Sequence, residues 1–172
     1  MEQQPEFLLQ GQWSPAHTEL LPPHYQPWLL EAGSLTALLR LHCQHFALEV
    51  VTERQSILPP EWQQQWQQQH ALCREVILYC DHQPVVYAQS WLPATTIAQL
   101  QYLAALGQQP LGDVIFQHPS LQRGPIEVAY WPELELPRLG LQHGLWGRRS
   151  VFSLLQQPLL VQEVFLPGVK DL

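Results

Sequence analysis

Apolar residues in this chain gather in runs of strand length, and two pairs of runs share one layout. Leu145 to Pro167 reads LWGRRSVFSLLQQPLLVQEVFLP: two arms of leucine, β-branched and aromatic residues around a turn expected at Gln156-Gln157-Pro158. Arg74 to Pro93, REVILYCDHQPVVYAQSWLP, repeats it, with a turn expected at Asp81-His82-Gln83-Pro84. Laid over one another, Arg74 matches Arg148, Gln83-Pro84 matches Gln157-Pro158, and Gln89 matches Glu163. This spacing predicts two similar hairpins in one sheet; chance likeness of composition is the competing reading.

The rest of the chain reads as shorter pieces. Residues 1–26, rich in Pro, Gln and His, are expected to form an irregular arm. Trp28 to Leu41 has helical spacing, with Ser34 or Thr36 as a cap and Gly33 breaking any helix before it. Phe46 to Thr52 reads as a strand, and Pro59-Pro60-Glu61 opens a helix that runs into glutamines. Pro93 ends the first hairpin; Thr95 is placed to cap a helix through Leu106, closed by Gly107. A short apolar segment, Val114 to Phe116, and a short strand, Ile126 to Tyr130, follow, and Trp131 to Gln142 reads as a surface loop. Hairpins separated by helices, with no repeated βαβ unit, predict an α+β domain: an antiparallel sheet with helices packed against it. The strands are apolar on both faces, so both faces are expected to be covered.

Composition narrows the function. At 172 residues, 46% of them hydrophobic, the chain is expected to form one domain (1–172) with a proper core. The formal net charge of -7 argues against a nucleic-acid-binding surface. Lys170 is the only lysine, and arginine suits two-pronged carboxylate recognition better than lysine does. Cys43, Cys73 and Cys80 form no CxxC motif, which fits a reducing compartment. The N-terminus carries no signal-peptide pattern, and no apolar run is long enough for a membrane span, so a cytoplasmic protein is expected.

Three constellations can carry chemistry. His42-Cys43-His45 places histidines at helical spacing, but no second ligand cluster accompanies them and no metal is expected. Cys73 stands beside Arg74, which can lower a thiol pKa, yet no nucleophile motif surrounds it and a buried inert thiol is the plainer reading. The third is the set Arg74, Arg148-Arg149 and Glu163 inside apolar strands. Charges placed there need partners. They either clamp a small anion and present a carboxyl group to it, or form a structural Arg74–Glu163 salt bridge.

Read in order, certain residues resemble those of the bacterial chorismate pyruvate-lyase family. They are Ser34-Leu35-Thr36, Arg74-Glu75, Pro110-Leu111-Gly112 with Phe116, Ile126-Glu127, Leu145-Trp146-Gly147-Arg148-Arg149-Ser150, and Glu163 before Phe165-Leu166-Pro167. The resemblance runs from about Trp28 to Pro167. It implies an antiparallel sheet with a buried site under helical flaps. It also implies a lyase that needs no cofactor and converts chorismate to 4-hydroxybenzoate and pyruvate, the first committed step of ubiquinone synthesis. A monomer that retains its product is expected. Carried over residue by residue, Arg74 holds the ring carboxylate. Glu163 sits at the opposite end, beside the departing enolpyruvyl ether, and offers it a proton or hydrogen bond. Leu35 and Leu111 line the pocket, Leu111 also through its backbone. Many members carry Gly-Arg where this chain has Ala88-Gln89, so the group that binds the side-chain carboxylate stays open, with Arg148 and Arg149 expected to lie too far away. The loop at Trp131 to Gln142 also looks about ten residues longer than is usual, as surface loops tolerate. The competing reading is a non-catalytic aromatic-acid-binding domain, related to the effector-sensing domains of transcription regulators.

Overall fold

The two hairpins predicted from the apolar pattern form the centre of one sheet. A computed structural model describes residues 7–172, so residues 1–6 of the expected N-terminal arm lie outside it. The strands are β1 (Ser14–Pro15), β2 (Phe46–Ile57), β3 (His70–Cys80), β4 (Gln83–Pro93), β5 (Gln122–Arg123), β6 (Glu127–Leu136), β7 (Gly140–Leu154) and β8 (Gln157–Phe165). The helices are α1 (Gln26–Leu29), α2 (Leu35–His42), α3 (Pro60–Trp66), α4 (Ala94–Gln99) and α5 (Leu111–Ile115). The sheet runs β1-β6-β7-β8-β4-β3-β2, with β5 paired to β7. Every pairing in it is antiparallel.

Both central turns are tighter than the Gln-Pro steps suggest. They centre on Asp81-His82 and Leu155-Gln156, and all four residues have positive φ. That is the mirror-image turn whose twist matches the flanking strands. The prolines fall inside the strands that follow. Close to the turns the hairpins superimpose, Cys80 opposite Gln83 and Leu154 opposite Gln157. The register of β3 with β4 then shifts by one residue at Leu78/Tyr79. A slip of one residue turns every later side chain to the other face. Arg148 therefore lies opposite Glu163, whereas Arg74 lies opposite Ser90, and Gln89 faces away from the side that Glu163 faces.

Helices and loops cover both faces. On one face α1 and α2 pack against Val76, Leu78, Ala88 and Phe165, and α5 with the turn at Leu100 and Leu103 packs against Leu72, Leu92 and Phe152. On the other, α3 packs through Trp62 against Cys73, Trp91 and Leu160, and the arm enters through Leu9. Ser34 caps α2, its Oγ accepting from Ala37 N at 3.2 Å. Thr95 caps nothing and instead bonds Gln68 at both its amide and its hydroxyl. α4 ends at Gln99, and a 3-10 turn, Gln101–Ala104, completes the segment expected as one helix. β2 runs five residues beyond its expected end at Thr52.

The segment Trp131 to Gln142 is not a loop. It is the distal half of the β6–β7 hairpin, turning at Pro137 to Leu139 with Arg138 and Gly140 at positive φ. Trp131, Leu136 and Leu145 are buried on the second face, and Arg138 pairs with Glu49 of β2, at the far edge of the sheet. Alternating burial outweighs the two prolines, which sit at Pro132, where no register pair forms, and just after the strand at Pro137. The Trp131 ring lies over Gly147, where an added Cβ would come within 2.7 Å of both Glu163 O and Trp131 Cζ3. Gly147→Ala should therefore lose about 1–3 kcal/mol of stability. The check is a lower denaturation midpoint with an unchanged m-value.

Candidate functional site

Period-2 alternation in four neighbouring strands points one row of side chains into a cavity beneath α2 and α5. β3 contributes Arg74, Val76 and Leu78; β4 contributes Ala88 and Ser90; β8 contributes Val161 and Glu163; β7 contributes Arg148 and Phe152. Leu35 and Thr36 of α2, Leu111 and Gly112 of α5, and Arg123 of β5 close it. The cavity encloses about 600 Å3 of empty space, its mouth included. α2 and α5 meet above it at their N-termini, where a Cβ on Gly112 would lie 3.2 Å from Ser34 Oγ. An exposed Arg40–Asp113 pair at 2.8 Å ties the two helices together.

All four residues named from the sequence line this one space: Leu35, Arg74, Leu111 and Glu163. Arg74 and Glu163 do not bond each other. Arg74 is 3% exposed; its Nη1 donates to Glu53 Oε2 at 2.7 Å and its Nη2 to the carbonyls of Gly107 and Gln109 at 2.8 and 3.1 Å. Its Nε–H makes no bond to a described residue and is available to a ligand. Glu163 accepts at Oε2 from Arg148 Nε at 2.6 Å, and its Oε1 takes no bond from a described residue. Arg148 is 1% exposed, and its Nη1 is spent on the carbonyls of Leu29 and Glu31 at 3.3 and 2.6 Å. These carbonyls belong to the last residue of α1 and to the turn that leads to α2, so the pair also holds the cover in place.

Arg148, expected to lie too far away to bind the side-chain carboxylate, lines the cavity with its guanidinium engaged by Glu163 and by two carbonyls. Arg149 does point away, to the second face, where it pairs with Glu61 and Glu127 and lies over the rings of Trp13 and Trp62. Gln89 is also on the second face, bonded to Phe7 O, Trp91 Nε1 and Gln162 Nε2. Sequence reasoning missed Arg123. Its Nε donates to Ser150 Oγ at 3.0 Å, and its guanidinium lies 4.8 Å over the Phe152 ring. Burial foremost, then the Arg148 charge, pushes its pKa down to about 10, while the Glu163 and Glu31 carboxylates oppose that shift. The signal for Arg123 lay in a two-residue strand inside a polar stretch, visible only once β5 is paired with β7.

The other two constellations fall elsewhere. His42 Nδ1 bonds Leu38 O and Cys43 Sγ donates to Leu39 O, each turned back onto its own helix. No group of three potential metal ligands occurs among the described residues. Cys73 is buried against α3, and burial, then the Glu75 carboxylate, pushes its thiol pKa far above the ordinary value. Arg74 projects from the opposite face of β3 and does not activate it. No helix among the described residues is long and apolar enough to cross a membrane.

The site is therefore a chamber lined by three arginines and one glutamate, a charge pattern suited to an anionic ligand. Comparisons with known proteins agree with this chemistry. A protein named as a probable chorismate pyruvate-lyase, from Pseudoalteromonas translucida, is 47% identical over 155 residues, covering 83% of this chain and 84% of its own. Proteins of the same name from Methylobacillus flagellatus and Shewanella loihica are each 38% identical, covering 87% and 94% of this chain and 90% of their own. Among solved structures, the ligand-binding domain of a putative GntR-family transcriptional regulator from Bordetella bronchiseptica matches at TM-score 0.55 and 15% identity, over 72% of this chain and 85% of its own. The C-terminal domain of the histidine utilization repressor from Pseudomonas syringae matches at TM-score 0.53 and 11% identity, over 73% of this chain and 94% of its own. At such identities the likeness is one of fold. The family model described as chorismate lyase matches residues 8–171, and with it the chain belongs to the chorismate lyase family.

Proposed function

We propose that this protein eliminates pyruvate from chorismate to give 4-hydroxybenzoate, with Arg74 and Glu163 at opposite ends of the ring. The observation that carries the reading is the placement of both residues on one enclosed cavity, each with a polar atom left for a ligand. β4 separates their strands, so the backbones of β3 and β8 stand about 10 Å apart, two strand spacings. That span accommodates a six-membered ring carrying a carboxylate at one end.

The chemistry asks little of a cofactor. The bond from ring carbon to ether oxygen breaks with its electron pair leaving on the oxygen. The proton on the carbon bearing the hydroxyl is lost, its electrons complete the aromatic ring, and the released enolpyruvate takes up a proton to become pyruvate. Aromatisation supplies the driving force. The chain's residues hold the ring, exclude water and pass a proton. Arg74 fixes the ring carboxylate. Glu163 Oε1 faces the hydroxyl and the ether oxygen, with Arg148 holding the carboxyl group still. Leu35, Leu111 and Phe116 pack on the ring, and the Leu111 N–H, in the first turn of α5 and without a partner among the described residues, is offered to the ligand. Product release then requires α2 and α5 to part, and a closed fit to an aromatic acid favours retention of 4-hydroxybenzoate.

Incubation of the purified protein with chorismate should yield 4-hydroxybenzoate and pyruvate in equal amounts. An effector-binding domain of the same fold would bind chorismate and release neither. Glu163→Gln should lower kcat by about 100-fold or more, within the usual span for an acid–base group. It should leave the Kd for 4-hydroxybenzoate within a few-fold; unchanged turnover would remove Glu163 from the reaction. Arg74→Gln should weaken 4-hydroxybenzoate binding by about 10- to 100-fold, the range for a lost charge-assisted hydrogen bond. Calorimetric titration reads that loss.

A further inference from the structure

Chorismate carries two carboxylates, and Arg74 accounts for only one. We propose that Arg123 binds the second, on the enolpyruvyl side chain; the assignment rests on chorismate being the substrate. The other arginines near the site each have a carboxylate partner, Glu53 for Arg74, Glu163 for Arg148 and Glu127 for Arg149. Arg148 has its charge matched by Glu163 through Nε and holds two carbonyls with Nη1, which leaves only Nη2 without a bond to a described residue. Arg149 and Gln89 lie on the second face of the sheet. Arg74 stands on β3, three strand spacings from β7, the strand against which β5 carries Arg123.

Arg123 is built to receive an anion. Its bonds to described residues go to neutral acceptors: Ser150 Oγ at 3.0 Å, and the carbonyls of Glu31 and Ala32 at 3.2 Å each. The Phe152 ring holds the guanidinium plane from one side. Nη2 donates to no described residue, and Arg123 lines the same cavity as Glu163. A cation in a largely buried site beside a second guanidinium is held at a cost that an incoming carboxylate would offset. Burial and Arg148 already make its charged form harder to keep. Placed at the Glu163 end, Arg123 would also face the negative charge that builds on the departing enolpyruvate, where a fixed guanidinium stabilises the transition state.

The assignment makes Arg123 the residue that tells substrate from product, because 4-hydroxybenzoate lacks the second carboxylate. Arg123→Gln should lower kcat/KM for chorismate by about 100-fold while 4-hydroxybenzoate affinity moves less than about threefold. An unreactive dianion, 3-(carboxymethoxy)-4-hydroxybenzoate, should bind the wild-type protein and lose about 30-fold in the variant. Arg123→Lys, which keeps the charge without the fork, should fall between; if the glutamine variant does not fold, the lysine variant decides by the same comparison. A variant with wild-type kcat/KM, or one that loses 4-hydroxybenzoate in step with chorismate, overturns the assignment. Failure of the wild-type protein to make pyruvate would instead sink the lyase reading, and binding of the dianion would still test Arg123.

Discussion

The arrangement rests on a buried ion pair between neighbouring strands. Arg148 is directly opposite Glu163 in the β7–β8 ladder, and the guanidinium is almost wholly removed from water. A buried pair of this kind adds little net stability, because desolvation consumes most of the attraction, but losing one partner strands the other at a cost of about 3–5 kcal/mol. Its value here is positional. One end of the guanidinium holds the carboxyl group of Glu163 and the other holds the Leu29 and Glu31 carbonyls. The carboxyl group on the cavity wall and the roof over it are thus set by the same side chain.

The cavity also reverses the sign of the protein. The chain has a formal net charge of -7, yet three arginines and one glutamate line the chamber. Far from the mouth a dianion meets a repelling molecule; inside, it meets fixed donors in a medium where each is worth more than in water. Leu35, Val76, Leu111 and Phe152 add apolar walls around these charges.

Much of this was legible in the chain, for reasons that can be stated. Alternation over nine or more residues located both central hairpins, and charges set within those runs marked Arg74, Arg148 and Glu163. Three things were not legible. The one-residue slip between β3 and β4 leaves no mark in composition, so Gln89 seemed equivalent to Glu163 while facing the other way. The distal β6–β7 hairpin hid behind Pro132 and Pro137, which read as loop residues until the burial of Trp131 and Leu136 is known. Arg123 depends on a pairing of two residues, too short to carry any periodicity. Long repeating patterns survive translation from sequence to structure; features set by register and by tertiary pairing do not.

The clasp between the two covering helices has a consequence for traffic through the site. Arg40 and Asp113 meet in solvent, with 45% and 21% of their side chains exposed. An ion pair in that setting contributes about 0–1 kcal/mol and fades as electrolyte rises. The latch is thus far weaker than the bolts inside, and thermal agitation alone suffices to lift it. Once the clasp opens, what keeps the two helices seated is the packing of Leu35, Leu39 and Ile115 into the core beneath them.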